Sequence, residues 1–128
     1  MRVLLDTHAF LWWVTDDERL TSPARATIGA SDNQVFVSAA SVWEIVTKAR
    51  LGRLPIPRPI DDFVSTHLET NAFQPLAITI RHTLELDALP DLHRDPFDRI
   101  LVAQALAEEM PLVTGDQAVQ AYPITAIW

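Results

Sequence analysis

No cysteine occurs in the 128-residue chain, which excludes a disulfide framework and any thiolate metal site. Lysine occurs once, at Lys48, and basic residues are scarce: ten Lys and Arg stand against seventeen Asp and Glu, a formal charge of −7. That balance argues against broad nucleic-acid binding by phosphate neutralisation, but not against an acidic site that recruits its own cations. No apolar run approaches the roughly 20 residues needed to span a membrane, and the first residues lack the apolar stretch of a secretory signal. A cytoplasmic protein with no membrane segment is the expectation. No internal repeat is visible.

What is present is an ordinary globular composition, 48% hydrophobic and 21% charged, at a length that gives one domain with a real core. A single domain over 1–128 is therefore expected. Arg2-Val3-Leu4-Leu5 reads as a short buried strand that runs into Asp6, Thr7 and an apolar helix over His8 to Trp13. Ser22 and Pro23 read as N-cap and N1 of a second helix, stopped at Gly29. Val35 to Val37 is a second strand, followed by a helix from Val42 to Leu51 that Gly52 ends. The proline-spaced segment Arg53 to Pro59 is an ordered loop.

Further on, the pattern predicts a helix over Ile60 to Asn71, an edge strand around Pro75 and a helix from Ile80 to Ala88. Asp95-Pro96-Phe97-Asp98 opens the clearest helix, which ends near Glu109. Leu112 to Thr114 and Ile124 to Ile127 supply the last strands. Short strands alternating with helices predict an α/β fold with a parallel sheet covered on both faces. Right-handed crossovers then gather the strand-to-helix loops on one edge.

Four carboxylates reach that edge. Asp6 ends the first strand, Glu44 lies early in the helix after the second, Asp98 heads the long helix and Asp116 follows the fourth strand. Thr7, Ser41 and Thr114 are nearby hydroxyls. Each acid also has a local explanation. Asp6 could cap the first helix, Ser41-Val42-Trp43-Glu44 matches a capping box, Glu44 pairs with Lys48 at i,i+4, and Asp116 could be a turn residue. Asp98 is harder to explain locally, since it heads an apolar stripe of Leu101, Val102 and Ala105 while Asp95 already fills the cap. Two carboxylates about 4 Å apart repel by roughly 4 kcal/mol at an effective dielectric near 20, so convergence requires raised pKa values or bound cations. Oxygen-only donors favour Mg²⁺ or Mn²⁺, and such an ion can activate water and offset charge on a phosphodiester.

Taken in order, these motifs resemble the PIN-domain ribonucleases, and among them the VapC-type toxins of toxin–antitoxin pairs. Asp6-Thr7 after a strand, Ser41-x-x-Glu44, Asp98 before Val102-Ala103-Gln104-Ala105, and Leu112-Val113-Thr114-Gly115-Asp116 carry the resemblance. It implies a three-layer α/β/α domain around a mostly parallel sheet of four or five short strands, with an acidic pocket that binds Mg²⁺ or Mn²⁺ and hydrolyses RNA. It places Asp6, Glu44, Asp98 and Asp116 at the metal and catalytic positions, with Thr7 and Thr114 as supporting hydroxyls. It further implies a cognate antitoxin and a homodimer. The departure is His93-Arg94-Asp95 before the third acid; helical register selects Asp98 over Asp95 as ligand.

Among the few basic residues, Lys48, Arg94 and Arg99 are candidate phosphate contacts, and a solvated face is the alternative. His93 is a candidate acid or base that metal-activated water does not require. Phe10, Trp12 and Trp13 cannot all turn inward from one short helix, so at least one is expected at a dimer or antitoxin interface. A haloacid-dehalogenase-like phosphatase would want a second Asp two residues after Asp6, where His8 stands, and a receiver domain would want a late lysine. A catalytically inactive PIN-like binding module is the non-enzymatic alternative.

Overall fold

Alternating side-chain direction along the first strand sets the layers. In the computed structural model, which describes residues 1–128, β1 (Arg2–Leu5) turns Val3 and Leu5 to one face of the sheet and Leu4 to the other, all three fully buried. The Val3 and Leu5 face packs with Phe10, Leu11, Ala24, Ile28, Ile45 and Phe73. The Leu4 face packs with Ile100, Leu101, Ala105, Leu112, Val119 and Tyr122. The sheet is thus covered on both sides, in three layers.

The helices and strands follow in the order β1, α1 (Thr7–Val14), α2 (Ser22–Gly29), β2 (Gln34–Ser38), α3 (Ala39–Arg50) and α4 (Ile60–Thr70). Next come β3 (Gln74–Leu76), α5 (Ile80–Glu85) with a 3₁₀ turn at Leu86–Ala88, α6 (Pro96–Glu108), β4 (Leu112–Val113), α7 (Gln117–Gln120) and β5 (Ala126–Ile127). All five strands are parallel, in the order β3-β2-β1-β4-β5, and Pro75 sits on the edge strand β3. The chain moves outward from β1 through β2 to β3, then crosses to β4 on the other side. The order therefore reverses between β1 and β4, and open α/β sheets bind ligands at the carboxyl ends of strands beside such a reversal.

Several boundaries differ from the sequence reading. The N-cap of α2 is Thr21, whose hydroxyl accepts from the Ala24 amide, so Ser22 lies inside the helix. The N-cap of α3 is Ser38 and the helix starts three residues earlier than expected. Ser41 and Glu44 are therefore interior residues of α3, and the capping box does not exist. The Ser38 hydroxyl also donates to buried Gln104 Oε1 at 2.5 Å, a tertiary contact that a local cap signal cannot reveal. The short helix α7 was not anticipated.

Glycine is scarce, with three in the chain. Gly52 supplies the left-handed residue after α3, with Arg53 N–H donating to Lys48 O and Gly52 N–H to Ala49 O. Elsewhere Asp16, Ala72 and Glu109 hold φ values of 52°, 54° and 54° in the same role. Of the crowded rings in α1, Phe10 is buried while Trp12 and Trp13 are half-buried. Trp12 packs on His8, Trp128 and the Arg19 guanidinium, and Trp13 Nε1 donates to Asn71. No helix is long and apolar enough to cross a membrane.

Candidate active site

The four acids come from the edge of the sheet where the strands end. Asp6 follows β1 directly and N-caps α1: its Oδ1 accepts from the Ala9 amide at 2.7 Å. Asp116 follows β4 and N-caps α7, its Oδ1 accepting from Ala118 at 2.9 Å. In each case one oxygen satisfies an otherwise unpaired helix amide, which leaves the carboxylate a second oxygen for another partner. Asp116 Oδ2 lies 3.1 Å from His93 Nε2. Asp98 is the acid of the first turn of α6, while Asp95 caps that helix through the Phe97 amide at 2.9 Å. Asp98 Oδ2 lies 3.2 Å from the same His93 nitrogen. Cap and site roles coexist because a carboxylate has two oxygens.

Glu44 is held differently. Its buried carboxylate accepts from the Thr7 hydroxyl at 2.6 Å through Oε1, and Oε2 pairs with the Lys48 ammonium. Thr7 has one proton, which the carboxylate claims, so the Ser41 hydroxyl 3.1 Å away donates to the Thr7 oxygen. The chain Ser41–Thr7–Glu44–Lys48 thus joins α1 to α3 beside the site. Thr114, fully buried, accepts from the Asp116 amide at 3.2 Å and fixes the turn after β4.

Crowding shows in the protonation equilibria. Burial, then the charges of Asp95 and Glu44, push the Asp98 carboxyl up to about 7, against the opposing charge of His93. Burial also raises Asp6, against hydrogen bonds from Thr114 and the Ala9 amide. Asp116 goes the other way: burial opposes ionisation, but hydrogen bonds from His93, Ala118 and Val119 hold it below the usual value. Burial alone would lower Lys48, yet its hydrogen bond to Glu44 raises it.

The tightest grouping of possible ligands is His93, Asp98 and Asp116, whose donor atoms lie within 4.8 Å of one another. Asp6 and Glu44 act on Asp98 as neighbouring charges without joining that triad. The donor chemistry fits a hard divalent cation: carboxylates dominate, and an acid pushed to about 7 is one whose ionisation an added positive charge would favour.

The basic residues divide. Arg94 is exposed, and Lys48 is tied to Glu44. Arg99 is committed to structure, donating to Pro90 O at 3.1 Å and to the Tyr122 hydroxyl at 3.0 Å. Through Nη1 its guanidinium thus braces the loop before α6. Sequence reasoning undervalued His93, which touches two of the acids; the cue was its place two residues before the Asp95 cap. It also passed over Trp43, 58% exposed beside Glu44, whose ring meets Phe97 edge-on at 4.8 Å. A groove of about 760 Å³ lies between α3 and α4 along Val46, Arg50 and Val64 and includes none of the four acids.

Comparison with known proteins accords with this layout. A family model described as PIN domain matches residues 3–124. Ribonuclease VapC22 of Mycobacterium tuberculosis (strain ATCC 25618 / H37Rv) is 29% identical over 134 aligned positions, covering 98% of this chain and 98% of the relative. Ribonuclease VapC16 of the same organism is 37% identical over 59 residues, 46% of this chain and 42% of that protein. Among solved structures, VapBC2 from Rickettsia felis, crystallised with a DNA fragment from its promoter, superposes with a TM-score of 0.73 at 14% identity. That match covers 98% of this chain and 97% of the other, and shows a shared fold.

Proposed function

The chain belongs to the PIN-domain family, and from that premise we propose that it is a divalent-metal-dependent endoribonuclease, the toxin of a toxin–antitoxin pair. The observation that carries the proposal is the meeting of Asp98 and Asp116 at the sheet reversal, with the Asp98 carboxyl raised to about 7 by burial and then by its acidic neighbours. RNA as substrate draws support from the names of the two Mycobacterium tuberculosis ribonucleases, and a cognate antitoxin from the VapBC2 match. Residues 1–128 act as one PIN-like domain, cytoplasmic and paired as a homodimer.

In this reading Asp6 and Asp98 are the principal ligands of Mg²⁺, with Mn²⁺ as substitute. Glu44 and Asp116 complete the site directly or through water, and Thr7, Ser41 and Thr114 orient the carboxylates. When bound, the ion supplies an activated water and offsets charge on the phosphodiester in the transition state. The protein's own part is positional. The caps of α1 and α7 fix Asp6 and Asp116, and the Thr7–Glu44–Lys48 chain sets one wall. Lys48 and exposed Arg94 offer positive charge to the phosphate backbone.

The test is direct. Purified protein freed of antitoxin should cut single-stranded RNA with Mg²⁺ or Mn²⁺, and Asp6→Asn should slow cutting by at least about 100-fold, the scale of losing one group that stabilises a transition state. Uncut RNA under both ions, or an Asp6→Asn protein that cuts normally, would refute the assignment.

A further inference from the structure

We propose that the His93 imidazole sits between Asp98 and Asp116 as a hydrogen-bond donor and must leave that position before a divalent cation can be held by those carboxylates. His93 is then a displaceable gate on metal loading and not a ligand. The inference rests on the reading above, in which Asp98 and Asp116 face a divalent cation.

The two ring nitrogens have opposite jobs. Nδ1 lies 3.0 Å from the Asp95 amide, which can only donate, so Nδ1 presents a lone pair. In this arrangement the ring hydrogen that faces the carboxylates is on Nε2. Nε2 lies 3.1 Å from Asp116 Oδ2 and 3.2 Å from Asp98 Oδ2, so its hydrogen occupies carboxylate oxygens that would hold a cation. A metal ligand needs a lone pair where this nitrogen carries hydrogen. Moving the proton to Nδ1 would set two N–H groups face to face across 3.0 Å and leave the Asp95 amide without its acceptor. Coordination by His93 in place is thus disfavoured, and the imidazole competes with a cation for the same lone pairs.

The surroundings let the ring move without the chain. The Leu92 and His93 amides donate to the Tyr122 hydroxyl at 3.3 and 3.0 Å, and Arg99 holds that hydroxyl from a third side. Asp95 is fixed as the cap of α6. The backbone is pinned on both sides of His93, so displacement falls to its side-chain torsions. With 19% of the side chain exposed, the ring already touches solvent.

The experiment is a Mn²⁺ titration without RNA, with free ion followed by electron paramagnetic resonance, on wild type and His93→Ala. The gate predicts that His93→Ala binds Mn²⁺ about tenfold more tightly, because it no longer surrenders charge-assisted hydrogen bonds. Equal or weaker binding, or none by either protein, would overturn it. Nitrogen-15 spectra of the wild-type imidazole supply a second readout that needs no variant. On saturation with Mg²⁺, His93 should keep its Nε2–H form and lose its carboxylate partners; an unmoved ring or a coordinated Nε2 would overturn the proposal. Tight Mn²⁺ binding by a protein that leaves RNA uncut would defeat the ribonuclease reading and leave the gate standing.

Discussion

Thr7 and Glu44, 37 positions apart, share a 2.6 Å hydrogen bond that ties the start of α1 to the interior of α3. The acceptor is a buried carboxylate, so the bond replaces hydration that folding removed. Thr7→Val keeps the shape and deletes the donor. It should destabilise the protein by about 1–3 kcal/mol, while Thr7→Ser should recover most of the loss. Urea denaturation of the three proteins checks this, and a Thr7→Val protein as stable as wild type would contradict it.

Lys48 stands on the other side of the same carboxylate. Lys48→Met leaves a buried charge short of a partner and should cost about 1–3 kcal/mol, below the range for fully buried pairs because Lys48 is 29% exposed. Adding Glu44→Gln removes the charge and should restore part of the stability. A double-mutant cycle reads this as coupling, and simple additivity would show that the pair contributes nothing.

Asp98 makes stability depend on pH. Its folded pKa, about 7, lies above the ordinary 3.8, so between these values the folded protein holds more protons than the unfolded chain. The stability associated with this group is fully present below about pH 4 and is lost as pH rises toward 7. With divalent ions chelated, Asp98→Asn should flatten this part of the profile and exceed wild type near pH 8 by at least about 1 kcal/mol. Thermal unfolding across pH 4–8 tests the sign. A variant that loses stability over that range as steeply as wild type would contradict the assignment.

Helix ends show where sequence reading runs out. Gly52 announces the stop of α3, but Asp16, Ala72 and Glu109 take the same left-handed conformation with side chains that give no such signal. Glu109→Gly should stabilise the protein by about 0.5–1 kcal/mol in chemical denaturation, since glycine adopts this conformation without steric cost. A destabilised Glu109→Gly would mean that the Glu109 side chain contributes more than its conformation costs.

The architecture was legible because short apolar strands alternating with helices leave a strong pattern: the parallel sheet covered on both faces follows from it, and Pro75 marks β3 as an edge. At the candidate site, the placement of four acids toward the carboxyl edge was legible, and the part of His93 between two of them was not. Three other things were not. Ser38 and Ser41 are equally good caps by type, and only the tertiary bond from Ser38 to Gln104 separates them. Whether an acid caps a helix or faces the site cannot be decided from one dimension: Asp6 caps α1, and Asp116 both caps α7 and meets His93. Arg99 looked free until Tyr122, 23 positions away, arrived as its partner.

The central claim is hydrolysis by water under the control of a carboxylate-held divalent ion, and the ends left on the cut RNA test it most directly. Attack by water gives linear phosphate ends, whereas attack by the ribose 2′-hydroxyl leaves a 2′,3′-cyclic phosphate. Antitoxin-free wild type should cut RNA only when Mg²⁺ or Mn²⁺ is supplied, stop on chelation, and leave no cyclic phosphate. Cutting that survives chelation, or products that end in cyclic phosphate, would contradict the account.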